Sequence, residues 1–159
     1  MNKTYLLLGS NMGNSKEQIT IAVKHIMKQV GKILRISSLY CTAAWGNTDQ
    51  PDFLNCVLLI ETNLNAWQTM KQVLSIEESM GRIRTKKFAP RMIDIDILFF
   101  NKAIIGEPSL TVPHPEIQNR RFALVPLNEM APNLVHPVLK KTMHQLLLDC
   151  KDTLNVKKF

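Results

Sequence analysis

Cysteine is scarce in this chain of 159 residues: Cys41, Cys56 and Cys150 are odd in number, far apart and never in C-x-x-C spacing. That argues against a disulfide framework and against a zinc site, and leaves each as a small buried or half-buried residue. Glycine is thin as well, six in all. Neither G-x-x-x-x-G-K-[ST] nor G-x-G-x-x-G occurs, so a Walker loop and a dinucleotide fingerprint are absent. No apolar run approaches a membrane span, and the start, MNKTYLLLGSN, has only four apolar residues in its central run, too few for a signal-peptide core. The expected setting is cytoplasmic, with no membrane partner. Acidic residues are outnumbered, 13 against 20 Lys and Arg, which gives a formal charge of +7 and a pI near 9.5. Such an excess points to anionic partners: nucleotides, nucleic acid or an acidic membrane surface.

What is present starts with KKFAPRMIDIDILFF, residues 86 to 100, where two carboxylates interrupt an apolar run. Ile93, Ile95 and Ile97 alternate with Asp94 and Asp96, and a period of two marks an extended strand. The isoleucines face one way and the aspartates the other. Residues two apart on a strand lie roughly 6.6 Å from each other, so both carboxylates come within reach of one ion. A solvated outer face is the bland alternative. The apolar Ile-Leu-Phe-Phe that follows instead drives the strand inward and leaves the aspartates at its mouth, where like charges need a cation. Magnesium, held by one or two carboxylates plus substrate phosphates, suits that donor set.

With 45% hydrophobic content, one domain spanning 1–159 is expected. A strand over TYLLLGS (4 to 10) precedes a helix whose capping signature is Ser15 with Gln18 and whose stop is Gly31. The runs 33 to 40 and 53 to 62 are β-rich. Asn65 caps a second helix that ends at Gly81. The aspartate strand, 93 to 100, turns at Asn101-Lys102 into 103 to 105. An irregular stretch, TVPHPEIQNRRF, leads to helices over 121 to 130 and 141 to 149, and the C-terminal lysines read as a solvated end. The order β-α-β-β-α-β is that of the ferredoxin-like split βαβ unit: an α+β sandwich with an antiparallel sheet, packed helices and additional C-terminal helices.

Two loops carry further chemistry. RIRTKKFAPR (82 to 91) holds five basic side chains and no acidic one, and its guanidinium forks beside a metal-binding strand suit a polyphosphate. With few apolar anchors, the loop is expected to be mobile over an empty site and to close on a charged substrate. CTAAWGNTDQPDFLN places Trp45 and Phe53 around Thr42 and Asn55, a set able to sandwich a flat heterocycle and read its edge. GSNMGN (9 to 14) reads as a tight turn. His136 and His144 read as structural or solvated, whereas His114, in VPHP ahead of Arg120, lies in a surface loop.

The motif KFAPRMIDIDIL (87 to 98) resembles the signature of the 6-hydroxymethyl-7,8-dihydropterin pyrophosphokinase family. GSN after the first strand, a T-x-x-x-G…DQPxFLN loop, IE…GRxR and LTVPHP…RxFxLxPLxExAP follow the family's order across nearly the whole chain. The resemblance implies transfer of the β,γ-pyrophosphoryl group of ATP, the co-substrate, to the pterin hydroxymethyl in folate synthesis, with AMP released. It implies that Asp94 and Asp96 hold a pair of Mg2+ ions and are catalytic together with Arg82, Arg84 and Arg91. It further implies that Glu77, Arg82, Arg84, Arg91, His114 and Arg120 contact ATP or the moving group. The pterin would lie between Phe53 and Phe122, hydrogen-bonded by Thr42 and Asn55 and bordered by Ala43 and Trp45. Ala43 and Ala44 stand where the family often has proline, and Phe88 where it often has tryptophan.

No residue stands out as a general base, and phosphoryl-type transfer depends chiefly on positioning and charge stabilisation. A monomer acting on small molecules is expected. An RNA-binding module is the main alternative, but the aromatic strand of that class is missing and Asp94 and Asp96 would repel a phosphate backbone. A D-x-D nuclease is disfavoured by the few further acidic residues nearby.

Overall fold

The computed structural model describes residues 1–43, 51–81 and 92–159. One antiparallel sheet runs β5 (Asp94–Phe100), β1 (Asn2–Ser10), β4 (Phe53–Thr62), β3 (Tyr40–Thr42) and β8 (Val156–Lys158), with β2 (Lys32–Ile36) also paired to β4. The order β5-β1-β4-β2 is the split βαβ arrangement expected from the element sequence. Helices α1 (Ser15–Gln29) and α2 (Ala66–Ser79) cover one face, and α3 (Arg121–Met130) and α4 (Met143–Asp149) cover the other. A small hairpin, β6 (Ile105–Glu107) with β7 (Leu110–Val112), and a 3-10 turn at Ile117–Asn119 connect β5 to α3.

Period-two alternation divides the strands between two cores. Leu6, Leu8, Cys56, Leu58, Ile93, Ile95 and Ile97 bury against α1 and α2, while Leu7, Val57 and Leu98 bury against Leu124, Leu127 and Met143 on the far side. At Leu98 the register of β5 against β1 shifts: Leu6 faces Ile97 and Tyr5 faces Phe99. This bulge lets Leu98 and Phe99 join the same core, and the Leu98 carbonyl accepts from His114 N–H at 2.9 Å.

Several local expectations are corrected. Asn14, rather than Ser15, caps α1, its side chain accepting from Glu17 N–H at 3.1 Å. Gly31 follows the Val30 cap and is needed for close approach: a Cβ there would lie 2.2 Å from the Glu61 carbonyl oxygen. The 33 to 40 run breaks into two strands, because Ser37 Oγ takes the Val57 N–H at 2.9 Å and Ser37 N–H bonds Val57 O. The extended segment after Asn101 is 105–107, not 103–105, and the irregular stretch contains the end of β7 and the 3-10 turn. The terminal lysines lie on β8, a strand that covers the β3 edge while their side chains stay in solvent. Asn65 caps α2 with a capping box to Gln68, as its sequence suggests.

Gly31→Ala should destabilise the fold by about 1–3 kcal/mol, because the methyl meets the Glu61 backbone of a paired strand, which cannot easily withdraw. A urea midpoint equal to wild type would show that the α1–β2 connection can yield.

Candidate active site

The cavity opens where the α3 face of the sheet loses its large side chains. Gly9 sits in a cross-strand row between Asp94 and Asn55, and Leu7 in the next row pairs with Asp96 and Val57. Glycine matters here because a Cβ at position 9 would come within 2.5 Å of Asn55 Nδ2. Its absence opens the floor between the carboxylates and the amide. Thr42 and Ala43 at the end of β3, Phe53 at the start of β4, and Arg120 and Phe122 at the start of α3 complete the walls.

Three polar atoms in these walls are poised rather than satisfied. Asn55 Nδ2 donates to the Leu8 carbonyl at 3.3 Å, and since only the amide nitrogen can donate to a carbonyl, Oδ1 is left as an acceptor. Among the described residues, the buried Thr42 Oγ1, Asn55 Oδ1 and Arg120 Nε have no hydrogen-bond partner. Buried polar atoms are nearly always paired, so three in one cavity wall suit a ligand that supplies the missing partners. Arg120 lies over the Phe122 ring, 5.7 Å from guanidinium carbon to centroid, a cation–π contact that aligns both side chains.

Asp94 and Asp96 lie on the cavity side of β5, as the alternation requires. No group of three or more His, Cys, Asp or Glu suited to a metal occurs among the described residues. Two carboxylates on one strand face fit an ion that takes its remaining ligands from water and substrate phosphates, which is the habit of magnesium. Glu77 is buried on α2, and its Oε2 accepts from Ile95 N–H at 2.7 Å, so it braces the edge strand between the two aspartates behind the cavity lining.

His114 stands beside this cluster. Its Nδ1 accepts from Glu116 N–H at 3.1 Å, which puts the proton of the neutral ring on Nε2 and makes that atom a donor. Burial, then the Arg120 charge, bring its pKa down from 6.5 to about 4, against the opposing pull of Glu116 and Asp94. Burial also lowers that of His136, whose Nδ1 accepts from Val138 N–H and Leu139 N–H.

Thr42, Ala43, Phe53, Asn55, Asp94, Asp96, Arg120 and Phe122, all singled out in the sequence, therefore meet in one cavity, with His114 near it. Leu7 and Gly9 were not singled out as lining residues; the GSN turn marks the neighbourhood, but only the strand register places Gly9 in the floor. Trp45, Arg82, Arg84 and Arg91, and the expected mobility of the basic loop, lie outside the described residues.

Two phenylalanines, paired carboxylates and a guanidinium thus line one cavity, a lining suited to a ligand that is flat at one end and anionic at the other. The sequence model of the 7,8-dihydro-6-hydroxymethylpterin-pyrophosphokinase (HPPK) family matches residues 5–132, and the chain belongs to that family. It is 40% identical over 136 residues to the 2-amino-4-hydroxy-6-hydroxymethyldihydropteridine pyrophosphokinase of Methylorubrum extorquens, covering 85% of this chain and 86% of the relative. The protein of the same name from Aquifex aeolicus is 37% identical over 91% of this chain and 90% of its own length. Folic acid synthesis protein FOL1 of Dictyostelium discoideum is 36% identical over 98% of this chain, which spans only 23% of that longer protein. In structure, Plasmodium falciparum HPPK-DHPS superposes with a TM-score of 0.73 at 21% identity, over 94% of this chain and 43% of that one, and so shows the shared fold.

The two histidines set a pH dependence. Unfolded, each binds a proton near pH 6.5; folded, each resists protonation, so below that pH the unfolded state carries more protons. Stability is fully present above pH 6.5 and should fall as the pH drops toward 4. His114→Gln should flatten the fall, read as urea midpoints at several pH values; an unchanged slope would mean that His114 is not held neutral.

Proposed function

We propose that this chain transfers the pyrophosphoryl group of ATP to 6-hydroxymethyl-7,8-dihydropterin, giving the pterin diphosphate and AMP, as a step of folate biosynthesis. The observation that carries this reading is the convergence of an aromatic slot and two strand-borne carboxylates on one cavity, in a chain of this family. In the transfer, the pterin hydroxymethyl oxygen bonds to the β-phosphorus and gives up its proton to solvent, the bond from that phosphorus to the α,β-bridging oxygen breaks, and AMP leaves with that oxygen.

Each side chain has a role matched to its position. Phe53 and Phe122 clamp the pterin ring, Asn55 Oδ1 accepts from its N–H edge, and Thr42 Oγ1 completes the pairing, with Ala43 and Trp45 at the border. Asp94 and Asp96 would hold the Mg2+ ions, as a pair, which when bound neutralise phosphate charge. Arg120, in the same cavity lining, would meet the same phosphates, and the neutral His114 would offer a hydrogen bond from Nε2 without adding charge. Arg82, Arg84 and Arg91 would supply the remaining guanidinium contacts as charge builds in the transition state. Glu77, which fixes β5 through the Ile95 N–H, would also contribute near the nucleotide. No residue stands out as a general base, and positioning and electrostatics carry most of this class of reaction.

We read residues 1–159 as one catalytic unit acting as a cytoplasmic monomer on small molecules, without nucleic acid or membrane. The outer side of β5 supports the monomer, because the Glu77 and His114 contacts occupy part of that strand edge. No helix among the described residues is long and apolar enough to cross a membrane.

Incubation with Mg-ATP and the hydroxymethyl pterin should yield AMP and pterin diphosphate in equal amounts; release of ADP instead would overturn the reading. Asp96→Ala should lower turnover by about a hundredfold or more, the scale of losing one preorganised charge-stabilising group, while its urea midpoint stays near wild type. Phe53→Ala should weaken pterin binding by about 1–3 kcal/mol, the worth of one stacked base, and leave ATP affinity similar; calorimetry on each ligand separately decides it. Arg82→Ala and Arg84→Ala should lower kcat far more than ATP affinity. Single-turnover kinetics showing an intact chemical step would instead make them ground-state contacts.

A further inference from the structure

Helix α3 delivers Arg120 and Phe122 to the cavity, yet its own cap residue supplies nothing. Arg120 holds the N-cap position in an extended conformation with φ −123° and ψ 101° and makes no side-chain capping hydrogen bond. The Arg121 N–H, which has no intrahelical acceptor, is taken instead by Asp152 Oδ2 at 3.0 Å, from 31 residues further along the chain. The other carboxylate oxygen, Oδ1, accepts from Leu154 N–H at 3.0 Å. One carboxylate thus ties the first turn of α3 to the C-terminal segment, and its charge lies at the positive end of the helix.

The same segment holds the opposite wall. Beyond Leu154 the chain enters β8, whose Val156 pairs with Thr42 and whose Lys157 pairs with Cys41 on β3. Phe159 N–H then bonds to the Leu39 carbonyl at 2.8 Å. The tail therefore grips the helix that carries Phe122 at one end and the strand that carries Thr42 at the other. It lies outside residues 5–132, to which the family match is confined.

We propose that Asp152 is a positioning residue for pterin recognition: by capping α3 from the C-terminal segment, it fixes the distance between the Phe122 wall and the Thr42 wall of the slot. The proposal rests on the pterin reading of that slot. The carboxylate matters because it accepts two N–H groups at once. Asparagine in its place can accept with only one oxygen, and alanine with none.

The test is a double-mutant cycle on pterin affinity, measured by calorimetry with a saturating non-hydrolysable Mg-ATP analogue. Asp152→Ala should raise the Kd for the pterin about fivefold to tenfold, the scale of a lost helix cap, and Asp152→Asn should fall between alanine and wild type. Asp149→Ala, which removes only the exposed Lys141–Asp149 ion pair, should leave the Kd unchanged. In a Phe122→Ala background, Asp152→Ala should have little further effect, because the wall it positions is gone. Equal Kd values for Asp152, Asn and Ala would overturn the proposal. So would an undiminished Asp152→Ala effect in the Phe122→Ala background, which would mark a general loss of stability. A Phe122→Ala protein that binds pterin normally would sink the slot reading itself, and the positioning role with it.

Discussion

The site depends on the alternation of β5. Burying Ile93, Ile95 and Ile97 against α1 and α2 commits the strand to one register, and that register turns Asp94 and Asp96 to the opposite face. A slip of one residue would put two carboxylates into an apolar core and three isoleucines into the cavity, an exchange costing far more than domain stability can absorb. Apolar packing on one side of the sheet thus enforces the placement of like charges on the other. β5 is also an edge strand, and Glu77 steadies it by accepting the Ile95 N–H midway between the two aspartates.

Around that strand the cavity is built by subtraction. Its two cross-strand rows would be ordinary core if Gly9 carried a side chain and if Asn55 were aliphatic. Glycine makes the opening, and the Leu8 carbonyl fixes the amide so that its oxygen stays available. The helices then close the cavity from above, with Phe122 supplying apolar area and Arg120 the charge. His114, held neutral by burial and anchored through its backbone to the β5 bulge, adds a donor without increasing the local positive charge.

Much of this was legible in the sequence because it rests on periodicity and local chemistry. The I-D-I-D-I pattern shows which residues share a face, Asn65 with Gln68 marks a helix start, and the ordered motifs locate both halves of the cavity. What escaped depends on contacts between distant segments. Gly9 becomes a floor residue only when β4 and β5 flank β1; β8 forms because β3 leaves an unpaired edge; and Glu77 braces a strand 18 residues away. Ser37 breaks a continuous β-rich run through a side-chain bond to Val57 that no propensity encodes. Asn14 displaced Ser15 as the cap of α1 because both are good caps, and the turn geometry decides between them.

The central claim is that one strand face gathers the metal-binding carboxylates beside the aromatic slot. A crystal structure of the complex with the hydroxymethyl pterin, a non-hydrolysable ATP analogue and Mn2+, with the ion located by its anomalous scattering, tests it most directly. The account predicts an Mn2+ peak coordinated by both Asp94 and Asp96, with the pterin ring between Phe53 and Phe122. Mn2+ bound away from either carboxylate, or a pterin outside the two rings, would contradict it.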